Sequence, residues 1–321
     1  MKAVFLDYAS LDQQDLNFNA LAAAFDDWVT FPSTRSDQVS ERIQDAEVVI
    51  SNKVPLNAEI LQQNPQLKLI LISATGTNNV DLVQAKAQGI VVCNCQAYGT
   101  SAVAQHTLML MLALSTSLIP YQHAVKQGQW NQSSQFCLLD FPIVELAGKT
   151  LGIIGYGTLG QAVATLAEAF GMNVKIGALP NRSQQSDRVA FQELVGQVDY
   201  LSLHCPLTED TRDLINADVL NAMKPSAFLI NCARGGIVNE QALVDALKQG
   251  KIAGAATDVL TVEPPKQGNV LLDALNNDEI QNLIITPHSA WGSVDARQRI
   301  VDQILENVEA FKQGAPIRQV N

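Results

Sequence analysis

Three polar side chains in the second half of the chain have the types that proton transfer beside a bound carboxylate requires: Arg234, Glu263 and His288. An Arg guanidinium can hold a carboxylate with two parallel hydrogen bonds. A His can give or take a proton near neutral pH, and a carboxylate beside it orients the imidazole and favours its charged form. Taken singly, each residue also has an ordinary interpretation as a surface ion pair, a turn residue or a loop histidine. Together, and in this order, they predict a catalytic group.

A glycine pattern upstream of these residues predicts a dinucleotide loop. Gly155, Gly157 and Gly160 form G-x-G-x-x-G between an apolar strand at 151–154 and a helical pattern at 158–170. The first glycine permits a tight turn, the second lets the backbone approach a pyrophosphate, and the third lets the helix pack closely on the sheet. A purely structural β-α turn is the alternative, because the pattern alone is weak.

The residues after the next strand bear on which nucleotide is bound. An acid usually stands there to accept hydrogen bonds from the ribose of NAD, whereas an Arg favours the 2′-phosphate of NADP. This chain has Gly177 and Ala178 at that place, and Arg182 follows. The sequence therefore favours NADP over NAD, with Arg182 as the cofactor-binding cation. A solvated loop charge is the alternative interpretation of Arg182.

Short apolar runs alternate with helical patterns along the chain. The first half has runs at residues 3–6, 46–51, 67–73 and 90–94, and the second half at 150–155, 173–177, 198–205, 227–233, 252–259 and 283–288. Continuous apolar runs are typical of parallel strands buried on both faces, and their alternation with helices indicates β-α-β units. We therefore expect an α/β fold with two doubly wound parallel-sheet domains, one Rossmann-like and one flavodoxin-like, and a cleft between them.

The domain bounds follow from the same pattern. Residues 1–100 together with 290–321 are expected to form a substrate-binding domain, and 101–289 a dinucleotide-binding domain. The apolar stretch 101–130 predicts a buried helix that Pro120 kinks or interrupts. The pattern at 295–314 predicts a last helix that returns to the first domain.

Composition narrows the class of protein. The 321 residues include 32 Asp and Glu against 21 Lys and Arg, a net charge of −11, which disfavours nucleic acid and anionic membranes as partners. No CxxC pair occurs among the 5 cysteines, so reduced thiols and no metal site are expected. The N-terminus has too short an apolar run for a signal peptide, and no run is long enough for a membrane span. These features predict a cytoplasmic protein.

Several motifs together carry a resemblance to a known family over the whole chain. They are GYGTLG at 155–160, HCPLTEDTRDLIN at 204–216, NCARGG at 231–236, DVLTVEPP at 258–265 and TPHSAW at 286–291. The chain resembles the D-2-hydroxyacid dehydrogenases. Among them it is most similar to the bacterial glycerate dehydrogenases, also called hydroxypyruvate reductases, through SNKVPL at 51–56, SATGTNNVDL at 73–82 and the region 128–155.

The resemblance implies a role for each matched residue. His288 is implied as the general acid and base, Glu263 as its partner, and Arg234 as the group that binds the substrate carboxylate. The implied cofactor contacts, besides the three glycines, are Thr107 near the phosphates, Asp258 at the nicotinamide carboxamide, and Thr158, Leu159, Cys205, Pro206, Thr211 and Ala233. The implied substrate contacts from the first domain are Lys53, Thr75, Gly76 and Thr77. A homodimer built through the cofactor domains is also implied.

The implied reaction is the reduction of a short 2-oxo acid, with hydroxypyruvate favoured and glyoxylate as a smaller substrate. The loop 73–80 contains no Lys or Arg, which disfavours a phosphorylated substrate; Lys53 is the nearby cation. Residues 131–142 either line the site or form a surface loop. Two rival classes remain: a cofactor-sensing binding protein of the corepressor kind on the same fold, and a dehydrogenase acting on another acid.

Overall fold

The computed structural model describes residues 1–180, 187–277 and 280–321. The chain divides into two units, Met1–Gly99 with Gly292–Asn321 and Thr100–Trp291. Each unit is built around one sheet, and every pairing between its named strands is parallel. Arg182, the predicted cofactor-binding cation, lies outside the described residues.

The first unit contains a five-stranded sheet in the order β2-β1-β3-β4-β5. Its strands are β1 (Lys2–Phe5), β2 (Asp27–Thr30), β3 (Val48–Ser51), β4 (Leu69–Ile72) and β5 (Val91–Cys93). Its helices include α1 (Asn19–Ala23), α2 (Val39–Ile43), α3 (Ala58–Gln63), α4 (Leu82–Ala87) and the C-terminal helix Val294–Lys312. This strand order is the flavodoxin-like one.

The second unit contains a six-stranded sheet in the order β11-β10-β9-β8-β6-β7. Its strands are β6 (Thr150–Ile154), β7 (Asn173–Gly177), β8 (Tyr200–Leu203), β9 (Phe228–Asn231), β10 (Gly254–Thr257) and β11 (Leu283–Ile285). Its helices are α5 (Thr100–Ser115), α6 (Leu118–Lys126), α7 (Gln129–Gln132), α8 (Thr158–Ala169), α9 (Phe191–Gln197), α10 (Ala217–Ala222), α11 (Glu240–Lys248) and α12 (Val270–Asn276). The C-terminal helix of the first unit is then α13. The predicted class of two doubly wound parallel-sheet domains is confirmed.

The sheet of the second unit is buried on both faces, as its continuous apolar runs require. Along β9, Phe228 and Ile230 pack on the face that α5 and α8 cover, whereas Leu229 packs with Leu194 and Leu243 on the other face. Successive side chains of a strand point to opposite faces, so a strand covered on both sides needs an apolar residue at each position. Because the six strands are parallel, their carboxyl ends lie at one edge of this sheet.

The long apolar segment after β5 forms bent helices, as predicted, but the break precedes Pro120. Helix α5 ends at Ser115, Ser117 has a left-handed backbone (φ 48°), and α6 begins at Leu118, bent by 61° from α5. Pro120 lies in the first turn of α6, where a missing N–H costs no helical hydrogen bond. Among the described residues no single helix is long and apolar enough to cross a membrane; only this bent pair reaches that length and composition.

Candidate active site

The carboxyl ends of all six strands in the second unit lie in register. Ile154 at the end of β6 pairs with Gly177 on one side and with Leu203 on the other. From there the pairing continues through Asn231 and Thr257 to the last residue of β11. The segments that follow these strands therefore share one edge of the sheet, the edge where open α/β sheets bind ligands. Every predicted catalytic residue belongs to one of these segments.

The glycine loop follows β6 at the point where the chain reverses direction across the sheet, between β6 and β8. Gly155 has φ 94°, and a Cβ there would lie 2.5 Å from the backbone nitrogen of Cys205. A Cβ on Gly160 would lie 2.2 Å from the carbonyl oxygen of Gly155. Both glycines are therefore required by the fold itself, for the turn and for the approach of α8 to the sheet.

Gly157 differs from its two neighbours. Its φ is −82°, and no heavy atom of the described chain lies within 4 Å of a Cβ built on it. Gly157 is also the N-cap of α8, which is 12 residues long, so no N-cap side chain bonds the first N–H groups of Thr158 and Leu159. Open space beside unbonded N–H groups at a helix N-terminus suits a pyrophosphate. The loop therefore fits a dinucleotide.

The other expected cofactor contacts lie along the same edge or beside it. Cys205 and Pro206 follow β8, and the hydroxyl of Thr211 donates to the carbonyl of Pro206 at 2.7 Å, which closes the 206–211 turn. Ala233 follows β9, where its N–H donates to the side chain of Asn231. Thr107 is buried in α5 and donates to the carbonyl of Val103. These contacts order the backbone around the edge.

No acid stands directly after β7, where one would bind the ribose. The strand ends at Gly177, at which a Cβ would lie 2.4 Å from the side chain of Ile154, so packing against β6 explains the glycine. Residues 173–180 contain no Asp or Glu.

His288 and Glu263 form a hydrogen-bonded pair. Nδ1 of His288 lies 2.6 Å from Oε2 of Glu263, and Oε1 of Glu263 accepts from the N–H of Leu260 at 2.8 Å. The carboxylate is thereby oriented at both oxygens. His288 itself has φ 52°, an uncommon conformation for a residue with a side chain, and its N–H donates to the carbonyl of Asp258 at 2.8 Å. This backbone strain is typical of functional positions.

Asp258 holds the segment that carries His288. It is 2% exposed, and its carboxylate accepts from the N–H groups of Ser289 and Ala290, both at 3.0 Å, and from the hydroxyl of Thr286. Because Thr286 gives its hydroxyl hydrogen to Asp258, Nε2 of His106 at 3.0 Å must donate to that hydroxyl. Burial lowers the pKa of His106, although the charge of Asp258 opposes this. The sequence had not marked His106 or Thr286 as site residues.

Arg234 follows β9 and is exposed. Its Nη1 donates to the carbonyl of Ala233 at 2.7 Å, and its own carbonyl accepts from the side chain of Asn231 at 3.0 Å. The next residue explains how closely the segments pack: a Cβ on Gly235 would lie 1.9 Å from the carbonyl oxygen of Leu260. The backbone beside Arg234 therefore lies directly against the segment that leads to Glu263.

The expected substrate contacts of the first unit follow β3 and β4, whose ends are paired at Ser51 and Ile72. The carboxylate of Asp7 accepts from the N–H groups of Asn52 and Lys53, the latter at 2.7 Å, and so holds the turn that presents Lys53. Burial raises the pKa of Asp7, whereas the bonds from these N–H groups lower it.

The loop after β4 is held in a similar way. The Thr75 hydroxyl donates to the carbonyl of Cys95 at 3.0 Å, and Val80 N–H donates to Thr77 at 3.1 Å. A Cβ on Gly76 would meet no described atom within 4 Å.

Within the described residues, no group of three or more His, Cys, Asp or Glu side chains could hold a metal ion.

Comparisons with known proteins agree with this geometry. A family model described as "D-isomer specific 2-hydroxyacid dehydrogenase, NAD binding domain" matches residues 108–290. The chain is 47% identical to a glycerate dehydrogenase of Methylorubrum extorquens over 98% of this chain and 97% of that protein. It is 37% identical to a hydroxypyruvate reductase of Blautia hydrogenotrophica over 100% of both.

A solved structure supports the same assignment. The NADPH-dependent glyoxylate/hydroxypyruvate reductase of Sinorhizobium meliloti, crystallised with citrate, superposes with a TM-score of 0.82 at 28% identity, covering 100% of this chain and 98% of that one. The chain therefore belongs to the D-isomer specific 2-hydroxyacid dehydrogenases, and it is a nicotinamide-dependent oxidoreductase that acts on the CH–OH group of a hydroxyacid.

Proposed function

We propose that this protein reduces hydroxypyruvate to D-glycerate, with glyoxylate as a smaller alternative substrate. The observation that carries the proposal is the His288–Glu263 pair, bonded at 2.6 Å, on the sheet edge that also carries Arg234 and the glycine loop. A protein that only sensed a nucleotide would need the loop but no oriented His–carboxylate pair.

The polar groups have distinct tasks in this reaction. A dinucleotide held by its pyrophosphate at the glycine loop would supply, from its reduced nicotinamide, the hydride for the substrate carbonyl. Arg234 binds the substrate carboxylate through its planar guanidinium and brings positive charge near the carbonyl oxygen. Because Nδ1 of His288 faces Glu263, Nε2 is the nitrogen that gives its proton to that oxygen. In the reverse direction the same nitrogen accepts the proton from the hydroxyl group.

Two observations support a small, unphosphorylated substrate. The loop 73–80, which we propose contacts the substrate carboxylate through Thr75, Gly76 and Thr77, contains no Lys or Arg. A phosphate would need several cations there. Lys53, on the turn held by Asp7, is the cation that we propose contacts the substrate from this unit. The relatives at 47% and 37% identity are named for glycerate and hydroxypyruvate, which agrees with this size and charge.

For the cofactor we propose a preference for NADPH over NADH. The absence of an acid from residues 173–180 supports this choice, as does Arg182 in the following segment. The similar structure from Sinorhizobium meliloti is named as NADPH-dependent. Thr107, Asp258 and the residues after β8 and β9 are the further cofactor contacts in this proposal.

We also propose a homodimer formed through the second unit. Exposed apolar side chains are concentrated on α5 to α7 and the segment after them, where Ile119 is 55% exposed, Trp130 51%, Phe136 89% and Leu139 76%. Large exposed apolar groups of this kind are costly in water and typical of a protein interface. Residues 131–142 would then lie in the interface rather than on a free surface.

A steady-state assay tests the proposal. NADPH and NADH oxidation are followed in parallel with hydroxypyruvate, glyoxylate and 3-phosphohydroxypyruvate. Turnover with hydroxypyruvate at a higher kcat/KM than with the phosphorylated acid supports the substrate, and a higher kcat/KM with NADPH supports the cofactor. Absence of turnover with hydroxypyruvate and glyoxylate, with either nucleotide, would overturn the assignment.

A further inference from the structure

Arg188 is fixed beside the end of β7, the strand after which the ribose of a dinucleotide is bound. Val189 forms a parallel bridge with Gly177, the last residue of that strand. Two backbone hydrogen bonds hold the bridge, from Val189 N–H to Ile176 at 2.9 Å and from Ala178 N–H to Val189 at 2.8 Å. The position of Arg188 is therefore set by the sheet itself.

The side chain of Arg188 lies over the glycine loop. Its Cζ is 5.4 Å from the centre of the Tyr156 ring, a distance at which a cation is attracted to an aromatic face. Tyr156 stands between Gly155 and Gly157, the two glycines that open the loop. Arg188 thus brings a positive charge to the point where β7 and the glycine loop meet.

Within the described part of the chain, the guanidinium of Arg188 has a hydrogen-bond donor without a partner. Its Nε is buried and has no hydrogen-bond partner there, which is costly for a charged donor. Among the described residues, Arg188 forms an ion pair with Asp187, whose Oδ1 lies 3.6 Å from this Nε, beyond hydrogen-bond distance, and whose side chain is 70% exposed. Because Nε itself is buried, the Nη atoms of the guanidinium are the donors that an anion could reach.

We propose that Arg188 recognises the 2′-phosphate of an NADP-type nucleotide, with Tyr156 holding the guanidinium plane. The inference rests on the proposed NADPH preference and names the residue that produces it. A guanidinium can bind two oxygens of a phosphate with parallel hydrogen bonds, and the ribose 2′ position lies at the end of the second strand in folds of this type. Arg188, which the sequence had not singled out, joins Arg182 as a candidate for this role.

Equilibrium binding tests the inference without any reaction. The affinities of NADP⁺, NAD⁺ and adenosine 2′,5′-bisphosphate are measured by calorimetry for the native protein and the Arg188→Ala, Arg182→Ala and Asp187→Asn variants. We expect Arg188→Ala to lower the affinity for NADP⁺ and for the bisphosphate by about 10- to 100-fold. NAD⁺ affinity should stay within about twofold, which also shows that this variant is folded. Asp187→Asn should leave the affinity for NAD⁺ unchanged. It should not lower the affinity for NADP⁺, because it removes a negative charge beside the proposed phosphate site.

Different failures are distinguishable. If the native protein does not prefer NADP⁺, the cofactor proposal and the role of Arg188 are both wrong. If it prefers NADP⁺, and only Arg182→Ala removes the preference, the cofactor proposal stands and Arg188 is not the recognition residue. If Arg188→Ala lowers the affinities for NADP⁺ and NAD⁺ equally, Arg188 stabilises the glycine loop and does not recognise the 2′-phosphate. A loss of NAD⁺ affinity in Asp187→Asn would assign the ribose to Asp187 and overturn the inference.

Discussion

The glycine loop allows the fold and the nucleotide to be tested separately. Of the three loop glycines, Gly155, Gly157 and Gly160, only Gly157 has no described heavy atom within 4 Å of its Cβ position. Its φ of −82° is one that any residue can adopt. No described residue explains why this position is a glycine. We therefore predict that Gly157→Ala leaves the fold intact and impairs nucleotide binding.

Two small effects of the Gly157→Ala substitution on stability oppose each other, whereas its effect on nucleotide affinity should be large. Alanine is a poorer N-cap than glycine by several tenths of a kcal/mol, whereas it stabilises through a less disordered unfolded chain by about 0.4–1 kcal/mol. The free energy of unfolding should therefore change by less than about 0.5 kcal/mol. If the pyrophosphate approaches the backbone at Gly157, the added methyl group should lower the affinity for NADPH and for NADH by at least about tenfold, or about 1.4 kcal/mol.

Matched variants at the neighbouring glycines provide the control. A Cβ at Gly160 would lie 2.2 Å from a carbonyl oxygen, and one at Gly155 would lie 2.5 Å from a backbone nitrogen and require a strained φ. Both alanine variants should lose about 1–3 kcal/mol of stability or more. Urea unfolding and fluorescence titration with NADPH measure the two quantities. Unchanged nucleotide affinity in a stable Gly157→Ala protein would refute the placement of the pyrophosphate.

Three further predictions concern catalysis and stability. His288→Ala should lower kcat by about 10²- to 10⁴-fold with unchanged NADPH affinity, whereas the exposed His123→Ala should leave kcat unaltered. Gly235→Ala should lower kcat and retain nucleotide affinity, because its Cβ would displace the segment leading to Glu263; an unchanged kcat contradicts this. Burial lowers the pKa of His204 to about 4 from 6.5, so the native state binds fewer protons than the unfolded state between these values. Stability should therefore fall by about 3 kcal/mol as the pH falls through that range, and urea midpoints of His204→Gln should vary less with pH.

The parallel strands could be predicted because each is buried on both faces. The run LKLILIS at 67–73 gives β4, in which all four residues are buried. Strand β2, by contrast, is an edge strand whose residues are all at least partly exposed, and its four residues DWVT form no apolar run. No pattern in the sequence predicted β2 or the short helices α1 and α2. Where tertiary burial is weak, the hydrophobic pattern is weak as well.

The shared location of the candidate site residues could be predicted to the extent that these residues follow strands. Register aligns the strand ends, so residues that come directly after β6, β9, β10 and β11 must meet at one edge. The contact of His106 with Thr286, 180 residues apart, depends on how α5 crosses that edge, and no local pattern contains this information. Arg188 escaped notice for a similar reason: a bridge across 12 residues, not a motif, brings it to β7.

Arg234 and His288 differ from His106 and Arg188 in what fixes their positions. Residues in motifs, such as Arg234 and His288, directly follow strands that end in register, and we propose that they carry the chemistry common to the reaction. Residues brought in by longer-range packing include His106, which bonds to the segment that presents His288, and Arg188, which lies over the glycine loop. We propose that residues of this second kind tune the site rather than carry the reaction. Because the two groups rest on different parts of the fold, a change of nucleotide preference at Arg188 should leave the His288–Glu263 pair undisturbed.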